Sequence, residues 1–237
     1  MKLQQVHKHD LGNKNTRLLG GTTMPNYLDI FAGAGGLSEG FIRAGYEPIA
    51  HIEMDKAACY TLKTRLAYKW LSEHQKSATY MRYLKREITR KELYATVPEE
   101  LLKSVLNYEI SKDNLKEIFQ KVDRLLNGEA LDLIVGGPPC QAYSLVGRAR
   151  DENGMVGDSR NYLYILYAEF LRKYHPRYFV FENVTGLLSA KDTDGELYFD
   201  KMRRLFRECG YSIEYRQLNA KDYGVLQNRS RIILIGK

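Results

Sequence analysis

Cysteine and long apolar runs are both scarce in this sequence. Only three of the 237 residues are cysteine, and they show neither a CxxC motif nor paired spacing. We therefore expect no disulfide framework and no metal site. No apolar run approaches the roughly 20 residues of a membrane-spanning helix, and the first residues lack the apolar core of a signal peptide. These absences favour a cytoplasmic protein with reduced thiols.

Charge and length set broad limits on the class of protein. The formal net charge is +7, and the excess of lysine and arginine is scattered rather than gathered into a tail. Such an excess most often forms a solvated surface, although it also fits a polyanionic partner such as nucleic acid. A chain of this length can bury one good core and one extra lobe.

Strand and helix patterns alternate along most of the chain, which predicts one doubly wound α/β domain over residues 25–237. Residues 1–24 show no sustained period and are predicted to be a flexible lead-in. Residues 89–128 are predicted to be inserted helices, with an apolar stripe from Leu115 to Leu126 that packs in the core. The predicted strands are 27–31, 48–52, 131–135, 178–181, 212–218 and 232–235.

The string Gly136-Gly137-Pro138-Pro139-Cys140-Gln141 follows a strand pattern of the kind that is buried on both faces. Its glycines and prolines end the strand abruptly. Open α/β sheets bind ligands at this end of their strands, so Cys140 is placed as a nucleophile. A buried and inert thiol is the alternative, and it suits Cys59 and Cys209 better because each lies in a helical pattern.

A glycine-rich turn follows the first predicted strand. Gly33, Gly35 and Gly36 allow the backbone to pass close to a ligand. Glu53 ends the next strand about 20 residues later, where a carboxylate can hold ribose hydroxyls. Serine stands at the last position of the pyrophosphate-binding glycine pattern, so the turn favours a nucleoside cofactor without a pyrophosphate.

With these motifs the chain resembles the cytosine-C5 DNA methyltransferases, which use S-adenosylmethionine. Four motifs carry the resemblance in the family's order, and they span about residues 27–237. They are DIFAGAGGLS at 29–38, GGPPCQAYS at 136–144, ENV at 182–184 and QNRSR at 227–231. The resemblance implies a Rossmann-like methyltransferase fold, with a mostly parallel seven-stranded sheet whose last strand is antiparallel.

The resemblance also implies a cofactor site without metal. Glu53 would bind the ribose, Met54 would stack on adenine, and Leu163 would close the apolar side. Glu87 and Ile88 stand where the family has a pair that contacts adenine. The full implied set is Phe31, Ala32, Gly33, Gly35, Gly36, Leu37, Glu53, Met54, Glu87, Ile88, Pro139 and Leu163.

The implied reaction explains the residue types at the catalytic positions. Addition of the Cys140 thiolate to C6 of cytosine turns C5 into a nucleophilic carbon, which can then accept a methyl group. Glu182 would neutralise charge at N3. Arg231 would bind the base carbonyl or orient the nucleotide, and Arg229 would do likewise or hold a phosphate.

A base within a duplex must be flipped out to reach such a site. Residues 144–160 resemble the loop that closes over the nucleotide, and an ordinary surface loop is the alternative. The residues implied in contacts with DNA are Gln141, Ser144, Arg148, Arg150, Arg160, Asn183 and Gln227.

The target-recognition domain that follows the arginine motif in the family has no counterpart in this sequence. Two explanations stay open: a natural subunit completed by a second polypeptide, or a fragment of a longer chain. The function implied is methylation of cytosine in DNA, as part of a restriction-modification system. The alternatives are an RNA cytosine-C5 methyltransferase and a cofactor-binding subunit that is inactive without its partner.

Overall fold

A seven-stranded sheet forms the centre of the protein. The computed structural model describes residues 24–139 and 162–237. Within these ranges the strands lie in the order β3-β2-β1-β4-β5-β7-β6. They are β1 (Asn26–Ile30), β2 (Glu47–Glu53), β3 (Val105–Asn107), β4 (Leu133–Gly136), β5 (Tyr178–Val184), β6 (Ile213–Asn219) and β7 (Ser230–Gly236).

Strand direction confirms the predicted sheet. β1 pairs in parallel with both β2 and β4. On the outer sides, β2 pairs in parallel with β3, and β4 pairs in parallel with β5. β7 runs antiparallel to both of its neighbours, β5 and β6. The carboxyl ends of β1, β2, β4 and β5 therefore meet at one edge of the sheet.

Helices cover the two faces of the sheet. They are α1 (Gly36–Arg43), α2 (Lys56–Glu73), α3 (Ser77–Leu84), α4 (Arg90–Tyr94), α5 (Glu99–Lys103), α6 (Leu115–Leu126), α7 (Leu163–Tyr174) and α8 (Tyr198–Glu208). Within residues 24–139 and 162–237, no helix has the length and apolar character needed to span a membrane.

The faces follow from alternation along the strands, because neighbouring side chains point to opposite sides of a sheet. Tyr27 packs with α1 in one cluster. Leu28 and Ile30 pack in the main core together with residues of α6, α7 and α8. The apolar stripe of α6 was predicted to be core, and the structure confirms this because Ile118 and Val122 are fully buried.

The segment 89–128 was predicted to hold helices alone, and the structure corrects this. It contains α4, α5 and α6, but Val105–Asn107 between them forms β3 and pairs with β2. A three-residue strand is too short to show the alternation that marks a strand in sequence. The helix α3 was also missing from the predicted elements.

Candidate active site

The turn after β1 shapes one half of the carboxyl edge. Gly33 and Gly35 have φ angles of 54° and 81°, in the region that favours glycine. A Cβ on Gly35 would lie 2.8 Å from Cδ2 of Leu62 on α2, so Gly35 lets the turn pack against that helix. A Cβ on Gly33 or Gly36 would meet nothing within 4 Å. The turn is therefore closed towards α2 and open towards a ligand.

Glu53 fixes the ends of β1 and β2 relative to each other. Its Oε2 accepts a 2.7 Å hydrogen bond from the backbone N–H of Gly33, and its Oε1 accepts one of 2.7 Å from the backbone N–H of Asp55. Each carboxylate oxygen keeps a further lone pair for a ligand hydroxyl. Met54 beside it is 61% exposed. A carboxylate with an open glycine turn and an exposed thioether fits a nucleoside ligand.

Asn107, at the end of β3, joins this half of the edge although it was absent from the predicted site. Its side-chain amide donates to the backbone oxygens of Glu53 at 3.0 Å and Met54 at 2.8 Å. The short strand β3 gives the only signal for it, and that strand was overlooked.

Glu87 and Ile88, which were predicted to contact adenine, lie between α3 and α4 rather than at the end of a strand. Glu87 lies in the turn after α3 and pairs with Arg82 at 3.6 Å. Ile88 packs against the cluster that contains Leu71 and Leu93. The third strand of the sheet ends at Asn107, well after this pair in the sequence.

The other predicted cofactor residues flank the turn and the start of α7. Phe31 follows β1 with a φ of 57° and packs against the main core. Ala32 is buried beside α2, and Leu37, in the first turn of α1, packs with Tyr27. Leu163 begins α7 and packs against the main core.

In the other half of the carboxyl edge, Gly137 after β4 allows close contact with Glu182 of β5. A Cβ at this position would lie 2.6 Å from Oε2 of Glu182 and 2.9 Å from its backbone oxygen. Only glycine lets β5 carry a carboxylate so close to the turn that follows β4. The predicted acid therefore lies against the backbone three residues before Cys140.

Arg231 is the partner of that acid. Its Nε lies 2.7 Å from Oε1 of Glu182, and both side chains are about three-quarters buried. The antiparallel pairing of β7 with β5 places Arg231 opposite Val184, which lies on the same face of β5 as the glutamate. Two predicted catalytic residues thus form one ion pair.

Arg229 and Gln227 lie in the exposed connection that leads into β7. The backbone N–H of Arg229 donates to Oδ1 of Asn219 at 3.1 Å. The backbone N–H of Gln227 donates to the oxygen of Val225 at 2.7 Å. The structure leaves both side chains on the surface rather than in the group around Glu182.

Asn183 was predicted to contact DNA, and the structure corrects its role. The residue is only 1% exposed. Its amide donates to the backbone oxygen of Pro138 at 3.3 Å. It therefore holds the turn that leads to Pro139 and the cysteine, because a buried amide needs such a partner.

Cys140 itself lies outside the described residues, as do Gln141, Ser144, Arg148, Arg150 and Arg160. The two described cysteines fit their predicted inert role. Burial raises the pKa of the Cys59 thiol, whose Sγ donates to the backbone oxygen of Glu53, and burial likewise raises the pKa of Cys209. Both thiols are poor nucleophiles at neutral pH.

A series of buried polar side chains lies next to the glycine turn, on β1, α1 and β2. Ser38 of α1 contacts the Tyr27 hydroxyl, and its Oγ lies 2.8 Å from Nε2 of His51. Burial lowers the pKa of His51 to about 4. Asp29 pairs with His51 in the sheet register, and burial followed by the charge of Glu53 raises the pKa of Asp29.

A second polar cluster holds the point where the described chain resumes. Asp192 accepts hydrogen bonds from the hydroxyls of Tyr162 at 2.8 Å and Tyr198 at 2.9 Å, and it pairs with Lys201 at 2.7 Å. Burial acts to raise the pKa of Asp192, but these bonds hold it below its ordinary value. The cluster fixes Tyr162 directly before α7, and sequence patterns did not reveal it.

A comparison with known protein families shows to which family this chain belongs. The family model described as C-5 cytosine-specific DNA methylase matches residues 26–81 and 99–237. The chain belongs to this family. The match includes every motif that carried the predicted resemblance, which is therefore confirmed.

Individual relatives agree with the family. Type II methyltransferase M.Bpa9945I of Bacillus paralicheniformis is 37% identical over 237 aligned residues, which cover 88% of this chain and 53% of that protein. Type II methyltransferase M.XorII of Xanthomonas oryzae is 35% identical, over 90% of this chain and 41% of that protein. The chain thus spans about half the length of these relatives.

Solved structures show the same fold. The Entamoeba histolytica methyltransferase EhMeth superposes with a TM-score of 0.55 and 16% identity, over 91% of this chain and 53% of that one. The methyltransferase fold predicted from the motifs is confirmed.

Proposed function

We propose that this chain is the catalytic portion of a DNA cytosine-C5 methyltransferase. The observation that carries the proposal is the placement of Glu182, which is paired with Arg231 and held against Gly137, three residues before Cys140. An acid paired with a cation at the carboxyl edge of the sheet, with a cysteine shortly after β4 in sequence, matches the needs of nucleophilic addition to a cytosine ring. Family membership supports the same reaction.

We infer that the cofactor is S-adenosylmethionine, bound by the half of the edge around Glu53. Bound there, it would supply an electrophilic methyl group. The Glu53 carboxylate would accept the ribose hydroxyls, since it is already oriented by Gly33 and Asp55. Met54 is exposed for contact with the adenine, and Asn107 holds the backbone beneath it.

The chain's own residues would carry the remaining chemistry. The Cys140 thiolate bonds to C6, the ring loses its aromaticity, and C5 becomes nucleophilic. As negative charge develops on the ring, a proton carried by Glu182 passes to N3, while Arg231 orients the carboxyl group. After methylation, loss of the C5 proton and cleavage of the bond between sulfur and C6 restore the ring and release the thiolate.

The length of the relatives bears on the partner of this chain. We propose that sequence recognition in DNA is supplied by a further segment or by a second polypeptide. The relatives' designation as Type II methyltransferases supports a role in a restriction-modification system. An RNA cytosine-C5 methyltransferase is the alternative, because the catalytic residues would be the same.

Covalent trapping tests the proposal. Duplex DNA that contains 5-fluorocytosine should form an adduct through Cys140 when S-adenosylmethionine is present, since fluorine cannot leave as the C5 proton does. The Cys140→Ser variant should form none, while it keeps cofactor binding. The matched control Cys209→Ser should still form the adduct. An adduct mapped to Cys59 or Cys209, or trapping by RNA alone, would overturn the assignment.

A further inference from the structure

Positive charge is concentrated in one part of the molecule. Residues 56–91 hold ten lysine and arginine side chains and two acidic ones, Glu73 and Glu87. This segment, here called the basic lobe, therefore carries +8, whereas the whole chain carries +7. The lobe comprises α2, α3 and the first residues of α4. The chain's basic character thus belongs to one lobe, although the sequence pattern had suggested a scattered excess.

Most of this charge is not neutralised within the protein. Arg65, Lys69 and Arg82 form ion pairs with acidic side chains. The other seven cations of the lobe form no ion pair with any acid in the described parts of the chain. They are Lys56, Lys63, Lys76, Lys85, Arg86, Arg90 and Lys91. A polyanion that displaces their counterions would bind with a favourable release of salt.

Aromatic rings alternate with the cations on the lobe. The guanidinium of Arg90 lies 3.5 Å from the ring centre of Tyr60. The rings of Tyr68 and Tyr80 are 4.7 Å apart, and Tyr68 is 49% exposed. These side chains line an open groove of about 800 Å³ along α2, together with Glu39 and Glu73. Arg90 is the one unpaired cation of the lobe among the described residues that line it. Flat rings beside cations suit a sugar-phosphate backbone, which offers both charge and apolar sugar edges.

The lobe begins beside the proposed active site. α2 starts at Lys56, three residues after Glu53, and the stacked pair of Tyr60 and Arg90 lies near that end of the helix. The family model passes over residues 82–98, so Lys85, Arg86 and Lys91 lie outside the matched segments. The family match therefore gives no information on Lys85 and Arg86 after α3 or on Lys91 in α4.

We propose that the basic lobe binds the phosphodiester backbone of duplex DNA next to the nucleotide being methylated. The proposal rests on the proposed function, because DNA is favoured over other polyanions by the substrate of the adjoining site. Phosphate contacts from exposed, unpaired cations position a duplex without reading its sequence. The lobe would thus hold DNA at the catalytic chain independently of sequence recognition.

A matched pair of variants tests this role. One variant carries Lys85→Gln, Arg86→Gln and Lys91→Gln, all at exposed positions of the lobe. The control carries Lys112→Gln, Lys116→Gln and Arg124→Gln, exposed on and before α6 at the opposite face of the sheet. Both lose three charges, so general electrostatic attraction falls equally. Affinity for a labelled duplex of arbitrary sequence is measured by fluorescence anisotropy over a salt series.

The lobe variant should lower the slope of log affinity against log salt by about 2–3, because each phosphate contact contributes about 0.9. The control should keep the slope of the unmodified chain. Equal slopes for the two variants would overturn the proposal, as would a loss confined to single-stranded RNA. Calorimetry with S-adenosylmethionine on the same proteins separates the two hypotheses, since failure to bind it would count against the proposed function and not against the lobe.

Discussion

The two halves of the carboxyl edge are built in different ways. The half that would hold the cofactor is formed by neighbouring strands, and Glu53 reaches Gly33 across 20 residues of sequence. The half that would carry the chemistry joins three distant segments, because Glu182 lies against Gly137 and pairs with Arg231. The first half depends on one local crossover, whereas the second depends on the assembly of β4, β5 and β7.

This difference predicts that mutations can affect methyl transfer and cofactor binding separately. Changes in the half around Glu182 should reduce methyl transfer and leave cofactor affinity almost unchanged. Changes around Glu53 should do the reverse. Each half can therefore be tested with the other as its internal control.

The largest expected effect is that of Glu182→Gln. The amide keeps the shape of the side chain but cannot neutralise charge at N3, and it leaves Arg231 without its anionic partner. Methyl transfer in the completed enzyme should fall by about 10²- to 10⁴-fold, the usual contribution of a positioned acid or base. Single-turnover assays with labelled S-adenosylmethionine measure it. An unchanged rate, or a fall explained by weaker cofactor binding, would remove Glu182 from the mechanism.

A smaller effect is expected for Gly137→Ala. The added methyl group would collide with both the carboxylate and the backbone of Glu182. We expect a loss of about 1–3 kcal/mol in the free energy of unfolding, the usual cost of overpacking, together with slower methyl transfer. Gly36→Ala is the matched control, since its methyl group meets nothing within 4 Å. Equal stability of the two variants in urea titrations would contradict the described packing.

The smallest effect is expected for Glu53→Gln. The amide can accept from only one of the two backbone donors, Gly33 or Asp55, and it offers a weaker acceptor to ribose. S-adenosylmethionine should bind about 1–2 kcal/mol less tightly, at the lower end for loss of a charged hydrogen-bond acceptor in a partly exposed position. Calorimetry decides this. Retained affinity would place the ribose elsewhere.

Local patterns predicted the half around Glu53 better than the other half. The glycine turn and Glu53 were visible because strand, turn and helix follow one another in sequence. The ion pair between Glu182 and Arg231 was not, since it depends on the register of an antiparallel pair between distant strands. The role of Asn183 was also missed, because its neighbours in sequence do not show that it is buried against Pro138.

The third strand shows the same limit at the level of the fold. Val105–Asn107 lies between two helices, and only its pairing with β2 makes it a strand. The resemblance assigned the adenine-contacting pair to Glu87 and Ile88, and Asn107 was overlooked because this strand was not recognised. The pairing with β2 makes this segment a strand, although its own residues show no clear preference for strand or helix.

The buried pair of Asp29 and His51 has a consequence for proton binding. The folded-state pKa of His51, about 4, is lower than its ordinary value of 6.5. Between these pH values the unfolded chain binds a proton that the folded chain refuses, so acidification destabilises the fold through His51. Asp29 acts in the opposite direction. Its raised pKa means that the folded chain retains a proton which the unfolded chain releases above pH 3.8, so its contribution grows as the pH falls.

Two neighbours in one sheet thus oppose each other in acid, and their sum should make folding less sensitive to pH than either residue alone. The Asp29→Asn variant keeps the size of the side chain and removes one titration. Its thermal unfolding temperature should fall more steeply than that of the unmodified chain between pH 6.5 and about 4. If the unfolding temperatures of the two proteins fall equally with pH, the carboxyl of Asp29 does not offset the effect of His51. Protonation of His51 would then destabilise the fold in acid without an opposing contribution.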